Sequence, residues 1–182
     1  MSDKKLFEAN INSSLWTAVD ESGACSDLLQ VSAHSIKSKS FLREAAFIFP
    51  PIDFKNGLIV IPTMQHAKED LVKVGEEIEK EKDRLLETFF EFAKKFCAKV
   101  QEAGGWADYI DPCSGLPMIT SDCNKVFGEV QSAEVLLNYN TMNCGCCKVL
   151  LHPTWGSSVY PASIFTTASE DLVLSALKSI YS

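Results

Sequence analysis

Apolar positions recur along this chain at two periods. The longest helical stripe runs through Ile78, Leu85, Phe89, Phe92, Phe96 and Val100, widened by Leu86, Phe90, Ala93 and Cys97. Its three-and-four spacing predicts one long amphipathic helix over 69–103. Glu76 with Lys80 and Glu91 with Lys95 are acid-first pairs for its wet side, the charge run 76–84 is a solvated face, and Gly104-Gly105 ends the helix. A shorter stripe of Leu42, Ala45, Ala46 and Phe49 follows Ser40 as N-cap and stops at Pro50-Pro51. A last one, Leu172, Ala176, Leu177 and Ile180, is capped by Ser169 with Glu170-Asp171 in its first turn. Strand patterns lie between. Residues 28–34 alternate apolar and polar, predicting one wet face. Leu58-Ile59-Val60-Ile61, after an Asn56-Gly57 turn, is a continuous apolar run expected of a strand buried on both faces. Segments 106–110, 135–139, 148–151 and 159–166 complete the expected strands, with 116–120 pairing back across the Asp111–Gly115 turn and 121–134 as loop. Residues 1–22, polar with Trp16 and Val19 as anchors, form an expected flexible arm. With no repeat and no linker, the pattern gives a single α+β domain over 23–182.

Composition narrows the classes. The chain has 182 residues, enough for one core, and its 46% apolar content contains no window near the ~18–20 residues of a membrane span. A net charge of -7 and scattered, glutamate-paired lysines exclude a basic nucleic-acid face. The first ten residues lack an apolar segment and contain Asp3 and Glu8, so neither a secretory signal nor a mitochondrial presequence is expected. The expected compartment is cytoplasmic, where seven cysteines stay reduced.

The candidate chemistry gathers in Asn143-Cys144-Gly145-Cys146-Cys147-Lys148, which runs on through Val149-Leu150-Leu151 to His152-Pro153-Thr154-Trp155-Gly156. Three thiols in four positions, beside a glycine and a lysine expected to favour a thiolate, suggest a tight turn at a strand mouth. Several readings of these thiols stand side by side: buried small hydrophobes, a zinc site with His152, a strained Cys146–Cys147 disulfide, or an exposed thiolate that acts as nucleophile or ligates a metal brought by another protein. A Cys/His hydrolase would need a histidine in reach, and His152 lies ~16 Å along a strand from Cys147. His34 and His66 lie in other elements. Asp108 and Asp111 form either an acid pair or a strand end leading into an Asp-Pro turn. The sequence has neither GxGxxG nor a Walker phosphate loop.

Three ordered motifs add a resemblance. Gly105-Trp106-Ala107-Asp108-Tyr109-Ile110-Asp111-Pro112-x-Ser114-Gly115-Leu116, then Gly145-Cys146-Cys147-Lys148-Val149-x-x-His152-x-x-Trp155-Gly156, then Ser163-Ile164-Phe165-Thr166 are similar to the cobalamin-trafficking family called CblD, the methylmalonic aciduria and homocystinuria type D proteins. The likeness spans about 25–182, the family's C-terminal domain. It implies a nitroreductase-like fold, an antiparallel sheet flanked by helices without a flavin site, and a non-enzymatic adaptor. Such an adaptor binds no cofactor alone. It docks as a heterodimer onto the CblC-type cobalamin-processing protein, shares that partner's cobalamin, and directs cofactor to cytosolic methionine synthase or to mitochondrial methylmalonyl-CoA mutase.

By position, the resemblance makes Cys147 the thiolate ligand of the partner-bound cobalt, with Cys146 as fallback. Gly145 would let the turn approach the corrin, Lys148 would favour the thiolate, and Trp155 would brace the turn. Cys144 departs from the family pattern and is expected either to compete for cobalt or to trap a neighbour in a disulfide. The family's long N-terminal region is missing here, which points to the cytosolic branch, with a mitochondrial form only if a longer chain exists. The rival reading is a thiol-dependent redox enzyme or cobalamin dealkylase using the Cys146/Cys147 pair.

Overall fold

The computed structural model describes residues 15–19 and 25–180. In chain order the elements are β1 Leu15–Val19, β2 Cys25–Val31, β3 His34–Ile36, α1 Lys39–Ile48, β4 Leu58–His66, α2 Glu76–Glu102, β5 Ala107–Tyr109, α3 Glu129–Leu137, β6 Asn140–Cys144, β7 Cys147–Leu151, β8 Val159–Thr166 and α4 Glu170–Ile180. The main sheet runs β1-β2-β4-β8-β5, with β3 beside β2 on the same edge of β4. Every pairing is antiparallel. β6 and β7 form a separate hairpin. The α+β reading with an antiparallel sheet flanked by helices therefore holds.

Two prolines sit inside the central strands without breaking them. Pro62 turns its carbonyl toward Ser32, at the break where β2 gives way to β3, so its missing N–H falls where the neighbouring ladder is interrupted. Pro161 faces the side occupied further along by β5, whose ladder reaches only Ile164–Thr166. Ile59, Ile61, Ala162 and Ile164 bury one sheet face against Phe89, Phe92, Phe96 and Val100 of α2 and Val173 and Leu177 of α4. The opposite face carries Val60 and Phe165 under α1, with Ile48 and Phe49, and Met64 and Val159 under α3, with Ala133. Each fully buried Phe or Ile contributes roughly 1.5–3 kcal/mol of apolar transfer.

Several boundaries differ from expectation for physical reasons. The long helix starts at Glu76, because Asp70 folds the preceding segment into a turn by accepting Val72 N–H and the Ser157 hydroxyl. Ser38, not Ser40, caps α1 by accepting Phe41 N–H. The loop expected over 121–134 holds for 121–128, but its remainder and most of the expected strand 135–139 are replaced by α3, whose Val130, Ala133 and Leu137 share a helical face packed around Met64 and Leu150; Asn138 closes it at φ 55°. Residues 116–120 return as one bridge, Ile110 to Pro117. Of the arm expected over 1–22, Leu15–Val19 pairs as β1; the rest, and the side chains of Trp16 and Val19, lie outside the described residues.

Asp108 is fully buried and accepts N–H groups from Tyr109, Ile119 and Thr120, while Asp111 accepts Cys113 N–H and the Ser114 hydroxyl. Both are structural turn-makers, not an acid pair. Asp108→Ala strands three backbone donors and is expected to cost about 3 kcal/mol, read as a lower urea midpoint at unchanged m-value.

Candidate functional site

The cysteine turn is the tip of the β6–β7 hairpin. Cys144 and Cys147 are its last paired residues, and Gly145 and Cys146 form the two-residue loop. Gly145 has φ 61° and Cys146 does not share the positive sign, the backbone pattern of a II′ hairpin turn with Gly first. A Cβ on Gly145 would meet nothing within 4 Å, so the tip is open. Cys146 and Cys147 are exposed and Cys144 is half-buried, whereas Cys97 is buried in the α2 stripe, its thiol pushed up to about 12 by burial.

The register separates the hairpin's two faces. Thr141, Asn143, Lys148 and Leu150 share one face, which turns toward α3: Leu150 is buried, and Glu134 of α3 accepts both the Thr141 hydroxyl at 2.9 Å and the Lys148 ammonium at 2.7 Å. Those bonds, Lys148 first, hold the Glu134 carboxyl below the usual carboxylate range. Asn140, Met142, Cys144, Cys147, Val149 and Leu151 share the other face, which is apolar apart from Asn140 at its base and carries sulfur. Helix α3 is itself fixed to β8, because Ser163 donates to Glu129 at 2.6 Å. Burial pushes that carboxyl up to about 8, so it is protonated at neutral pH.

Lys148 therefore spends its charge on Glu134, and the thiolate-favouring role expected of it is not what the geometry gives. Adjacent strand residues point to opposite faces. The Cys147 thiol is instead pushed up, first by its hydrogen bond and charge repulsion with Cys146, whose Sγ lies 3.9 Å away, and then by slight desolvation and by Cys144.

All three histidines are engaged elsewhere. His152 donates through Nε2 to Gln30 at 2.6 Å and accepts Thr154 and Trp155 N–H groups at Nδ1, so both ring nitrogens are committed; burial lowers its pKa to about 4. His34 is buried against the Ser32 hydroxyl at 2.8 Å. His66 stacks on Trp155, which also stacks on His152 at 3.9 Å. Trp155 thus sits at the base of the hairpin, a strand's length from the tip it was expected to brace. Among the described residues no three His, Cys, Asp or Glu side chains converge as a metal site. No helix among them is long and apolar enough to cross a membrane.

The structure brings Gly145, Cys146 and Cys147 together at the tip and sends Lys148 and Trp155 elsewhere. Glu134 is the contributor that sequence reasoning missed. Lys148 lies 14 positions away from it, and only the existence of α3 connects them.

Comparison with known sequences gives a consistent result. The family described as methylmalonic aciduria and homocystinuria type D protein matches residues 18–178. The human cobalamin trafficking protein CblD is 38% identical over 125 residues, covering 68% of this chain and 42% of that protein. The chicken protein of the same name is 36% identical over 124 residues, with the same coverage, and the rat protein 35% identical over 129 residues, covering 71% and 43%. The chain spans about two-fifths of the length of these curated relatives.

The neighbouring thiol sets when Cys147 ionises. Removing it in Cys146→Ala deletes the largest cause of the upward shift, so the pH midpoint for alkylation of Cys147 by iodoacetamide, followed by peptide mass spectrometry, should move down. An unchanged midpoint would mean that the vicinal contact does not govern the thiol.

Proposed function

Because the chain belongs to the methylmalonic aciduria and homocystinuria type D protein family, we propose that it is a non-enzymatic adaptor in cobalamin trafficking that presents Cys147 as a thiolate ligand to cobalt held by a CblC-type partner. The observation that carries this reading is the placement of an exposed thiol at an open hairpin tip, while His152 and His34 are hydrogen-bonded elsewhere and His66 stacks on Trp155 at the hairpin's base. Among the described residues no histidine is hydrogen-bonded to a tip thiol, and the exposed sulfur suits ligation of a soft metal centre arriving from outside.

The chemistry follows from the turn. Cys147 loses its proton on ligation, so bond formation is favoured as pH rises toward the thiol's raised pKa. With Lys148 paired to Glu134, the positive charge that stabilises the thiolate comes from the metal. Gly145 presents no side chain at the loop, which leaves a flat macrocycle room to approach. The apolar face of Met142, Val149 and Leu151 flanks the thiol and offers surface to bury on docking. A nitroreductase relationship of the fold, a cytosolic setting and delivery to methionine synthase belong to the same proposal and rest on the family.

The test is an absorbance titration of partner-bound cobalamin with wild type, Cys147→Ala and Cys146→Ala. A stoichiometric new band with wild type and Cys146→Ala, absent with Cys147→Ala, is the expected result. The same band with Cys147→Ala moves the ligand to another thiol. Catalytic consumption of thiol or cobalamin without the partner would favour the redox-enzyme reading.

A further inference from the structure

The tip carries a second arrangement of sulfur besides the vicinal pair. Cys144-Gly145-Cys146-Cys147 spaces Cys144 and Cys147 as a C-x-x-C unit, and the hairpin makes these two direct cross-strand partners. Directly opposed residues in an antiparallel pair have Cα atoms roughly 4.5–5.5 Å apart and side chains on one face, within the ~4.4–6.8 Å that a disulfide spans. Both side chains lie on the face turned away from α3, so closing the bond displaces no core contact. Cys146 lies close to Cys147 as well, but a bond between chain neighbours closes a strained eight-membered ring.

We propose that Cys144 and Cys147 form a reversible dithiol–disulfide couple that exchanges with small disulfides of the oxidised-glutathione class. The exposed Cys147 thiolate attacks the small disulfide, forming a mixed disulfide and expelling one thiolate. The Cys144 thiolate then attacks Cys147 Sγ, closing the intramolecular bond and expelling the second thiolate. The two protons lost by the protein thiols end on the two released small thiols. The protein dithiol is oxidised by two electrons and the small disulfide is reduced by two. Excess small thiol reverses both steps. If Cys147 is the cobalt ligand, which rests on the function proposed above, the oxidised form withdraws it; the couple itself stands without that reading.

All three tip cysteines fall in one tryptic peptide, 126–148, so variants assign the bond. The isolated chain is incubated with graded ratios of oxidised to reduced glutathione, quenched in acid, alkylated and digested. For wild type and Cys146→Ala the expected product is this peptide two hydrogens lighter, appearing at the same ratio and lost on adding reduced glutathione. Cys144→Ala should lose the intramolecular bond and carry glutathione instead. The proposal is overturned if Cys144→Ala still closes an internal bond, which would assign it to Cys146–Cys147. It is equally overturned if wild type or Cys146→Ala gives only mixed disulfides. No cobalamin enters this experiment, so a failed cobalt titration leaves its outcome readable.

Discussion

The position of the cysteine tip depends on two glutamate side chains five residues apart on α3. Glu129 ties the helix to β8 through Ser163, and Glu134 ties the hairpin to the helix through Lys148 and Thr141. A two-stranded hairpin is marginal alone in water. This one gains its fixed direction from an ion pair, a hydroxyl bond and the burial of Leu150, all on a single face. The far end is held by His152, whose ring takes two backbone donors from its own turn and donates to Gln30 on β2. With one face and the base committed, the thiols are left on the free face.

The same partition explains the electrostatics of the site. A lysine next to a cysteine in sequence suggests an activated thiol, but strand geometry sends neighbours to opposite faces and gives the lysine to Glu134. The nearest influence on Cys147 is another thiol, which raises its pKa. Such a sulfur is poorly ionised at neutral pH and becomes a strong ligand when a metal displaces its proton.

Much of the fold was legible because its periods are strong. The α2 stripe from Ile78 to Val100, the β8 segment and the Ser169 cap of α4 follow from spacing and capping chemistry alone. α3 was not legible: its nine residues mix Val, Leu and Ser, and its apolar face is recognisable only against Met64 and Leu150, distant in sequence. The cysteine turn was evident from Gly145 and three clustered thiols. The fate of Lys148 and Trp155 was not, because both are claimed by partners from other elements, Glu134 and the ring of His66.

A sulfur from this hairpin on the metal is what the proposed adaptor role requires. X-ray absorption at the cobalt edge, recorded on partner-bound cobalamin with and without this protein, addresses it directly. A sulfur scatterer in the cobalt coordination shell that appears with wild type and is missing with Cys147→Ala is the expected result. A shell of nitrogen and oxygen alone in the wild-type complex would contradict it.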